Sequence, residues 1–320
     1  MFTQITDDAK DLANKAPTEE LYGLSVDTSI LFSDHKGRYN KRIERRQRNL
    51  LSKLKILASF MTGGEKILYV TRGCSPATFV EQILTGVLLQ PLKGSLFVIT
   101  NRRILHIPVT MGLKYRHTIS QILFTDCQSI RFRWATLIVK YKSGKCEKFR
   151  CIERSGRKNI KRLLGSIPLK GIASPTLERG HLCPRCTKPL IKDYYICPHC
   201  SLKFKTKGWA TALSMLLPGG GYFYARHWII GLFEAIMETI IFIILAATSA
   251  AYFISSPSAP RSITQAIALC GIILLYEKLV TALFSNMCIE DFIPKKRKIE
   301  MQHNQTNEND KGFVRDWRSM

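Results

Sequence analysis

Two apolar runs in the last third of the chain, 228–255 and 263–289, limit its possible folds more than any other feature. Each exceeds the roughly 20 residues that carry a helix across the hydrocarbon core of a bilayer, so the sequence predicts a transmembrane helical hairpin. A shorter run, 209–224, meets Pro218, Gly219, Gly220 and Gly221 part-way. Proline removes a backbone donor and each glycine costs about 1 kcal/mol in a helix, so no uninterrupted helix is expected there. The favoured reading is a short or re-entrant first segment followed by the hairpin, within a membrane domain spanning 208–290. Three full spans are the alternative, and they would put the C-terminal tail on the other side. Basic clusters "KFKTK" (203–207), Arg226 and "PKKRK" (294–298) share one side in the favoured reading, with Arg261 alone in the outer loop, which marks the first side as cytoplasmic.

Ionisable groups interrupt the runs: Glu234 and Glu238 one helical turn apart, then Glu277 and Lys278. With the hairpin aligned from its outer loop, Lys278 comes level with Ile240, within reach of Glu238. A buried, structural ion pair Glu238–Lys278 is therefore expected. An ion or proton pathway is the competing reading for charge at that depth.

The net charge of +24 lies mostly ahead of these runs: residues 1–35 sum to −5, 36–55 to +8 and 56–170 to +15. Such a basic face suits an anionic lipid surface or a nucleic acid. The acidic segment 1–35 reads as mostly loop, with a short helix around Asp7 to Asn14, and lacks the charge pattern of a cleaved export signal. From 36 to 61 the spacing of Ile43, Leu50, Leu54, Leu57 and Met61 predicts a basic amphipathic helix. Packed on the next domain it is a solvated helix. Laid on headgroups, its Arg42, Arg45, Arg46, Arg48 and Lys53 form a lipid or partner surface.

Between 62 and 167 the period changes to strands. "FVITNRRILHI" reads as a hairpin turning at Asn101, "YKSGKCEKF" as one turning at Ser143-Gly144, and a basic helix closes the stretch. This order of strands, with Thr100, Asn101, Arg102 and Arg103 at its centre, resembles the bacterial pleckstrin-homology-like and GRAM-type domains. The resemblance implies an α+β unit, a strongly bent antiparallel sheet or barrel of seven strands capped by a C-terminal helix. It does not imply a ligand, because the loop matching the inositol-lipid site, "TRGCSPATF", has a single cation, Arg72. Arg102 and Arg103 read as turn residues with a structural role. A Pro/Gly/Ser-containing linker, 168–180, follows.

Ten cysteines suggest a disulfide framework until their positions are read: four stand in "HLCPRCTKPLIKDYYICPHC" and the rest are scattered, the usage of a reducing compartment. The four, Cys183, Cys186, Cys197 and Cys200, form two Cys-x-x-Cys knuckles that can present four thiolates to one Zn2+. A redox dithiol needs only one such pair. With its Pro after the first Cys of each pair, the stretch 181–204 resembles the zinc ribbons, which implies a β-hairpin with the metal as its core. His181 and His199 read as bystanders. Tyr194, Tyr195, Arg185, Lys188 and Lys192 offer groups for stacking on bases.

The glycine-rich break, with Tyr222, Tyr224, Arg226 and Gly231 behind it, resembles small bacterial two-span membrane modules. No nucleophile with its base, phosphate-cradling loop or carboxylate dyad stands out, and "PGGG" lacks the Gly-Lys-Ser/Thr of a P-loop. The expectation is a non-catalytic, membrane-anchored adaptor or sensor of a bacterial inner membrane. Its N-terminal domains would be cytoplasmic, with a protein partner and the anionic inner leaflet as targets and a polar tail, 291–320, behind the anchor. A membrane-tethered nucleic-acid binder is the alternative.

Overall fold

The computed structural model describes residues 18–76, 93–110, 112–169, 171, 173–175, 177–255, 261–289 and 292–295. The helix expected around Asp7 to Asn14 and most of the tail lie outside them, as does part of "TRGCSPATF". The chain divides into two compact units. One runs to Lys192 and includes Cys197–Cys200; the other comprises Asp193–Ile196 and Ser201–Arg297.

The first unit is α+β with mixed sheets. Strands β3 (Ile67–Cys74), β4 (Gly94–Thr100), β5 (Arg103–Pro108) and β6 (Ile119–Leu123) form an antiparallel meander. A second antiparallel sheet holds β7 (Cys127–Arg133), β8 (Thr136–Tyr141) and β9 (Cys146–Phe149). Backbone pairing of Cys74 with Arg150 joins the end of β3 to the chain leaving β9.

Strands β4 and β5 are buried along nearly their whole length because both faces of the meander are covered. Val70, Leu96, Val98, Leu105 and Ile107 face one cluster. Tyr69, Phe97, Ile99 and Ile104 face the other, which the inward residues of β7–β9 complete together with Ile160, Leu163 and Leu164 of the closing helix, Arg157–Ser166. A strand buried on both sides reads as a continuous apolar run, and "SLFVIT" is such a run.

The first cluster is filled from the N-terminal side. Segment 1–35, expected to be mostly loop, contains a hairpin, β1 (Thr18–Leu21) and β2 (Leu24–Asp27), then a single helical turn, α1 (Thr28–Leu31). Tyr22 and Gly23 both have positive φ, 57° and 76°, the backbone of a two-residue type I′ turn. Four-residue strands in an acidic context leave little periodicity to read. The basic helix α2 spans Lys41–Ser52; Asn40 caps it by accepting from Arg42 N (3.0 Å) and Ile43 N (3.2 Å). Leu50, Leu51, Leu54, Leu57 and Phe60 are buried, the last three on a following 3-10 stretch or at its edge. Each such side chain contributes roughly 1.5–3 kcal/mol. The closing helix Arg157–Ser166 is α3.

Gln47, wholly buried, donates to Val70 O (2.9 Å) and accepts from Val70 N (3.1 Å). Helix α2 thereby supplies what a neighbouring strand would otherwise give to β3, whose parallel pairing with β2 is confined to Val26–Ile67.

The Thr100–Arg103 signature is a clasp at the β4–β5 turn. Thr100 Oγ1 accepts from Arg103 N, Asn101 Oδ1 accepts from Lys66 N and Asn101 Nδ2 donates to Gly64 O. Arg103 forks onto buried Glu65, Nε to Oε1 at 2.9 Å and Nη2 to Oε2 at 2.8 Å.

The second unit is helical. Helix α4 (Lys207–Leu216) ends at the expected break, and a short α5 (Gly220–Tyr224) follows. Long helices α6 (Trp228–Ser255) and α7 (Arg261–Ile289) pack on each other and on α5, and α7 packs on α4 as well. At 10 residues α4 is about 15 Å long, half the hydrocarbon thickness. Both α6 and α7 are long and apolar enough to cross a membrane, and only 11% and 22% of their apolar spans are buried. Ile229, Phe233, Ile243, Ile272 and Leu275 point outward, whereas a core helix of a soluble protein buries such residues. Where the chain enters and leaves this unit the backbones pair: Phe204 bridges Pro294, Lys205 N donates to Ile293 O (2.8 Å) and Lys295 N to Lys203 O (3.0 Å).

Candidate metal centre

The first knuckle grows out of the sheet. Strand β10 (Gly180–Leu182) pairs with β6 through Gly180–Gln121, His181–Ser120 and Leu182–Ile119, and β11 (Pro189–Leu190) pairs with β10. The segment expected to be a linker up to residue 180 thus ends in a strand that continues the sheet. An unpaired β6 would leave a row of bare backbone donors and acceptors, and β10 satisfies them.

Both knuckles share a backbone plan. The residue after the second Cys of each pair is left-handed, Thr187 at φ 61° and Ser201 at φ 54°, and in the first knuckle Thr187 N donates to Cys183 O (2.9 Å). The first knuckle sits on a β-hairpin as expected. The second is framed by one bridge, Ile196–Lys203.

The four sulfurs lie within 4.8 Å of one another. Cys183 Sγ is 3.5 Å from Cys200 Sγ, and Cys186 Sγ is 3.6 Å from Cys197 Sγ. Disulfide sulfurs stand about 2.05 Å apart. A tetrahedron around zinc with bonds of about 2.3 Å has edges of about 3.8 Å, so the cluster matches a single tetrahedral ion. Burial pushes the Cys186 thiol up to about 11 and raises Cys183 further. A divalent cation reverses that cost by stabilising the thiolates. Ligation by four thiolates makes this a structural Zn2+ site with no position left for substrate. His199 is exposed and His181 is engaged in β10, and neither belongs to the sulfur cluster.

Of the five basic residues expected to form a lipid or partner surface, Arg42, Arg45, Arg46, Arg48 and Lys53, three are exposed: Arg42, Arg45 and Lys53. Arg46 pairs with Glu153 at 2.6 Å, and Arg48 pairs with Glu44 at 2.8 Å while lying 5.1 Å from the centre of the Phe32 ring. The structure therefore leaves a smaller free cationic face than the charge count implies. Tyr194 is exposed, but Tyr195 packs near Phe292, ring centres 6.2 Å apart.

In the helical unit Lys278 Nζ lies 2.7 Å from Glu238 Oε1, both side chains buried. The pair does more than neutralise charge. Lys278 Nζ donates to Ser214 O (3.1 Å) in the last turn of α4, and Gly219 N donates to Glu238 Oε2 (3.0 Å) just ahead of α5. A cation thus meets a carbonyl end and an anion meets an amide end, the polarity that helix termini favour. The broken helix has free backbone groups, and this ion pair supplies partners for two of them. Glu234 accepts from Thr281 Oγ1 at 2.5 Å, and Ser214 Oγ and Ser285 Oγ are 3.0 Å apart.

The glycines of the break stand where side chains cannot fit. A Cβ on Gly219 would come 2.2 Å from Gly231 O, on Gly220 2.3 Å from Leu213 O, and on Gly221 1.9 Å from Ser214 Oγ. Their glycine identity was the only sequence signal; what presses against them was not readable. Sequence reasoning also missed Gln47 and the Glu65–Arg103 pair, whose partners lie far away along the chain.

A scan against protein-family models returns no match, and no curated protein matches the chain. The class that fold and site define is an α+β unit bearing a four-cysteine zinc site, in one chain with two helices of membrane-spanning character.

Proposed function

We propose that this chain is a non-catalytic, membrane-anchored adaptor or sensor, whose α+β unit and zinc ribbon work on the cytoplasmic side of a bacterial inner membrane. The carrying observation is the outward apolar surface of α6 and α7, which calls for lipid around it. Pairing of 203–205 with 293–295 adds direction, because backbones that exchange hydrogen bonds lie on one side of a bilayer. That pairing supports an even number of crossings, with α4 and α5 as a re-entrant segment. The basic residues flanking the unit assign that side to the cytoplasm.

A pleckstrin-homology-like reading of the first unit draws support from a four-strand meander, a three-strand sheet and the closing helix α3. The Thr100–Arg103 clasp agrees with it. The closed four-cysteine site favours scaffolding over hydrolytic chemistry, and a protein partner is the primary target. The exposed Arg42, Arg45 and Lys53 serve an anionic leaflet as a second contact. A nucleic-acid role draws on the same charge, but Tyr195, packed near Phe292, is not free to stack.

Crosslinking of the full chain in its native membrane, with mass spectrometry of the captured proteins, tests the reading. A stoichiometric protein partner joined through the first unit is expected. Release of the intact chain into the soluble fraction after gentle lysis would sink the proposal, as would purified reduced protein lacking zinc.

A further inference from the structure

The outward face of the β7–β9 sheet has a composition that neither the zinc site nor the core explains. Alternation along the strands sends Ile130, Phe132, Leu137, Val139, Tyr141, Glu147 and Phe149 inward. Arg131, Arg133, Lys140 and Lys148 stand exposed on the other side. Register groups them: Arg131 is opposite Ile138, which is opposite Lys148, and Lys140 is one row away. The one acidic residue of these three strands, Glu147, points inward, where it accepts from Tyr141 OH at 2.8 Å. Among the described residues, the acidic groups near this sheet pair with Arg46, Lys145 and Arg179 and not with the four cations.

At the tip of this sheet sits Trp134, 83% exposed. Arg133 pairs with Thr136, so Trp134 and Ala135 form a two-residue hairpin loop. Trp134 has φ 57°, a backbone state that favours Gly, Asn or Asp and disfavours a bulky side chain. Turn chemistry and solvation both argue against tryptophan here, yet the position is occupied by the largest apolar side chain available.

We propose that this face docks on an anionic lipid leaflet, with Trp134 inserted at headgroup depth and Arg131, Arg133, Lys140 and Lys148 above the phosphates. Tryptophan favours that interface because its ring is apolar and its N–H is polar. Cations near an anionic leaflet are attracted within a Debye length. Sheets that bind single-stranded nucleic acid carry aromatic rings on the strands, under successive bases; here the aromatic group lies beyond the strand ends and the large apolar residue between the cations is Ile138. The inference rests on the membrane-anchored reading, since a tether to the same bilayer raises the local concentration of lipid seen by the face.

The test uses the full chain in nanodiscs of neutral lipid or of neutral lipid mixed with phosphatidylserine, each containing lipids brominated near the headgroup. Quenching of tryptophan fluorescence in the wild type, minus that in Trp134→Phe, isolates Trp134 from the other three tryptophans. Quenching of Trp134 is expected on the anionic discs and not on the neutral ones. Neutralising Arg131, Arg133, Lys140 or Lys148 should weaken docking about fivefold each, and charge reversal about thirtyfold, with bound zinc unchanged. Trp134→Asn should raise the melting temperature through a better turn while abolishing docking; a purely structural role would not separate the two. Equal Trp134 quenching on both disc types, or none on either, with the chain still incorporated, overturns the inference and leaves the anchor reading intact. Failure of the chain to enter nanodiscs overturns both. Salt-sensitive binding of an oligonucleotide that the charge reversals abolish, with Trp134 unquenched by lipid, transfers the face to nucleic acid and overturns the lipid assignment.

Discussion

Glu65 and Arg103 show how a residue's role depends on distant geometry. The Thr-Asn-Arg-Arg string announces a turn, and Thr100 and Asn101 make the turn they announce. Nothing near Arg103 in sequence announces Glu65, because β3–β4 register decides which acid meets which base. Burial by itself would raise the Glu65 carboxyl; the Arg103 fork and Thr62 N outweigh it and hold the group below the usual glutamate value. Its contribution to stability is therefore complete above the ordinary glutamate pKa of about 4.3 and is lost as pH falls through the depressed value. Glu65→Gln leaves a buried guanidinium without its counter-charge and should cost about 3–5 kcal/mol. Denaturant unfolding of the full chain, followed through loss of zinc, checks this; a cost under about 1 kcal/mol would contradict the pairing argument. His106, buried and bonded to Ser120 Oγ at 2.9 Å, is shifted the other way for a base: burial holds its pKa well below 6.5. The unfolded chain binds that proton first, so stability should decline as pH drops below about 6.5, by at most about 1.4 kcal/mol per pH unit for this group. A flat profile between neutrality and pH 5 would show His106 already protonated or exposed.

At the scale of elements, apolar period and length made α6 and α7 readable, and the Leu spacing of α2 marked its buried side. The hairpin alignment brought Glu238 and Lys278 to one level because two antiparallel helices sharing a short loop have little freedom of register. Their contacts with Ser214 O and Gly219 N were not readable, since where a broken helix lodges depends on three-dimensional packing. Lys278→Met would leave Glu238 buried without its cation and Ser214 O without that donor. A loss of about 3–5 kcal/mol is expected, and adding Glu238→Gln should recover part of it. Thermal unfolding of single and double variants in detergent measures the coupling; additive losses would mean that the pair does not act as a unit. Among the glycines, Gly219→Ala should be the most damaging, because its new methyl meets the backbone of Gly231, which cannot rotate away, and the Gly219 φ of 62° disfavours any side chain, a second penalty that Gly220 lacks. The N-terminal hairpin and β10 escaped sequence reading for a different reason. Both are strands of three or four residues that exist because a sheet edge is there to receive them.

For the whole molecule, two constraints act on the same stretch of chain. Cys183 and Cys186 belong to a hairpin continuous with the sheet of the first unit, and Cys200 is followed after a few residues by the segment Lys203–Lys205 that pairs with Ile293–Lys295. Sequence alone exposed the thiolates and the apolar runs, while the proposed choice of two crossings over three rests on backbone pairing across about 90 residues, which no local pattern encodes. Pairing at that distance makes a sharp claim about topology. Three crossings would carry 293–295 to the far side of the bilayer and break the hydrogen bonds of Lys205 N and Lys295 N. On the proposed two-crossing topology, epitope tags on the two ends of the chain should therefore become accessible together, and only after the membrane is opened, while a cysteine placed among residues 256–260 should react from the opposite side with an impermeant maleimide. Opposite accessibility of the two tags would require α4 to cross, which at about 15 Å it is too short to do, and would overturn the pairing on which the single-sided arrangement depends.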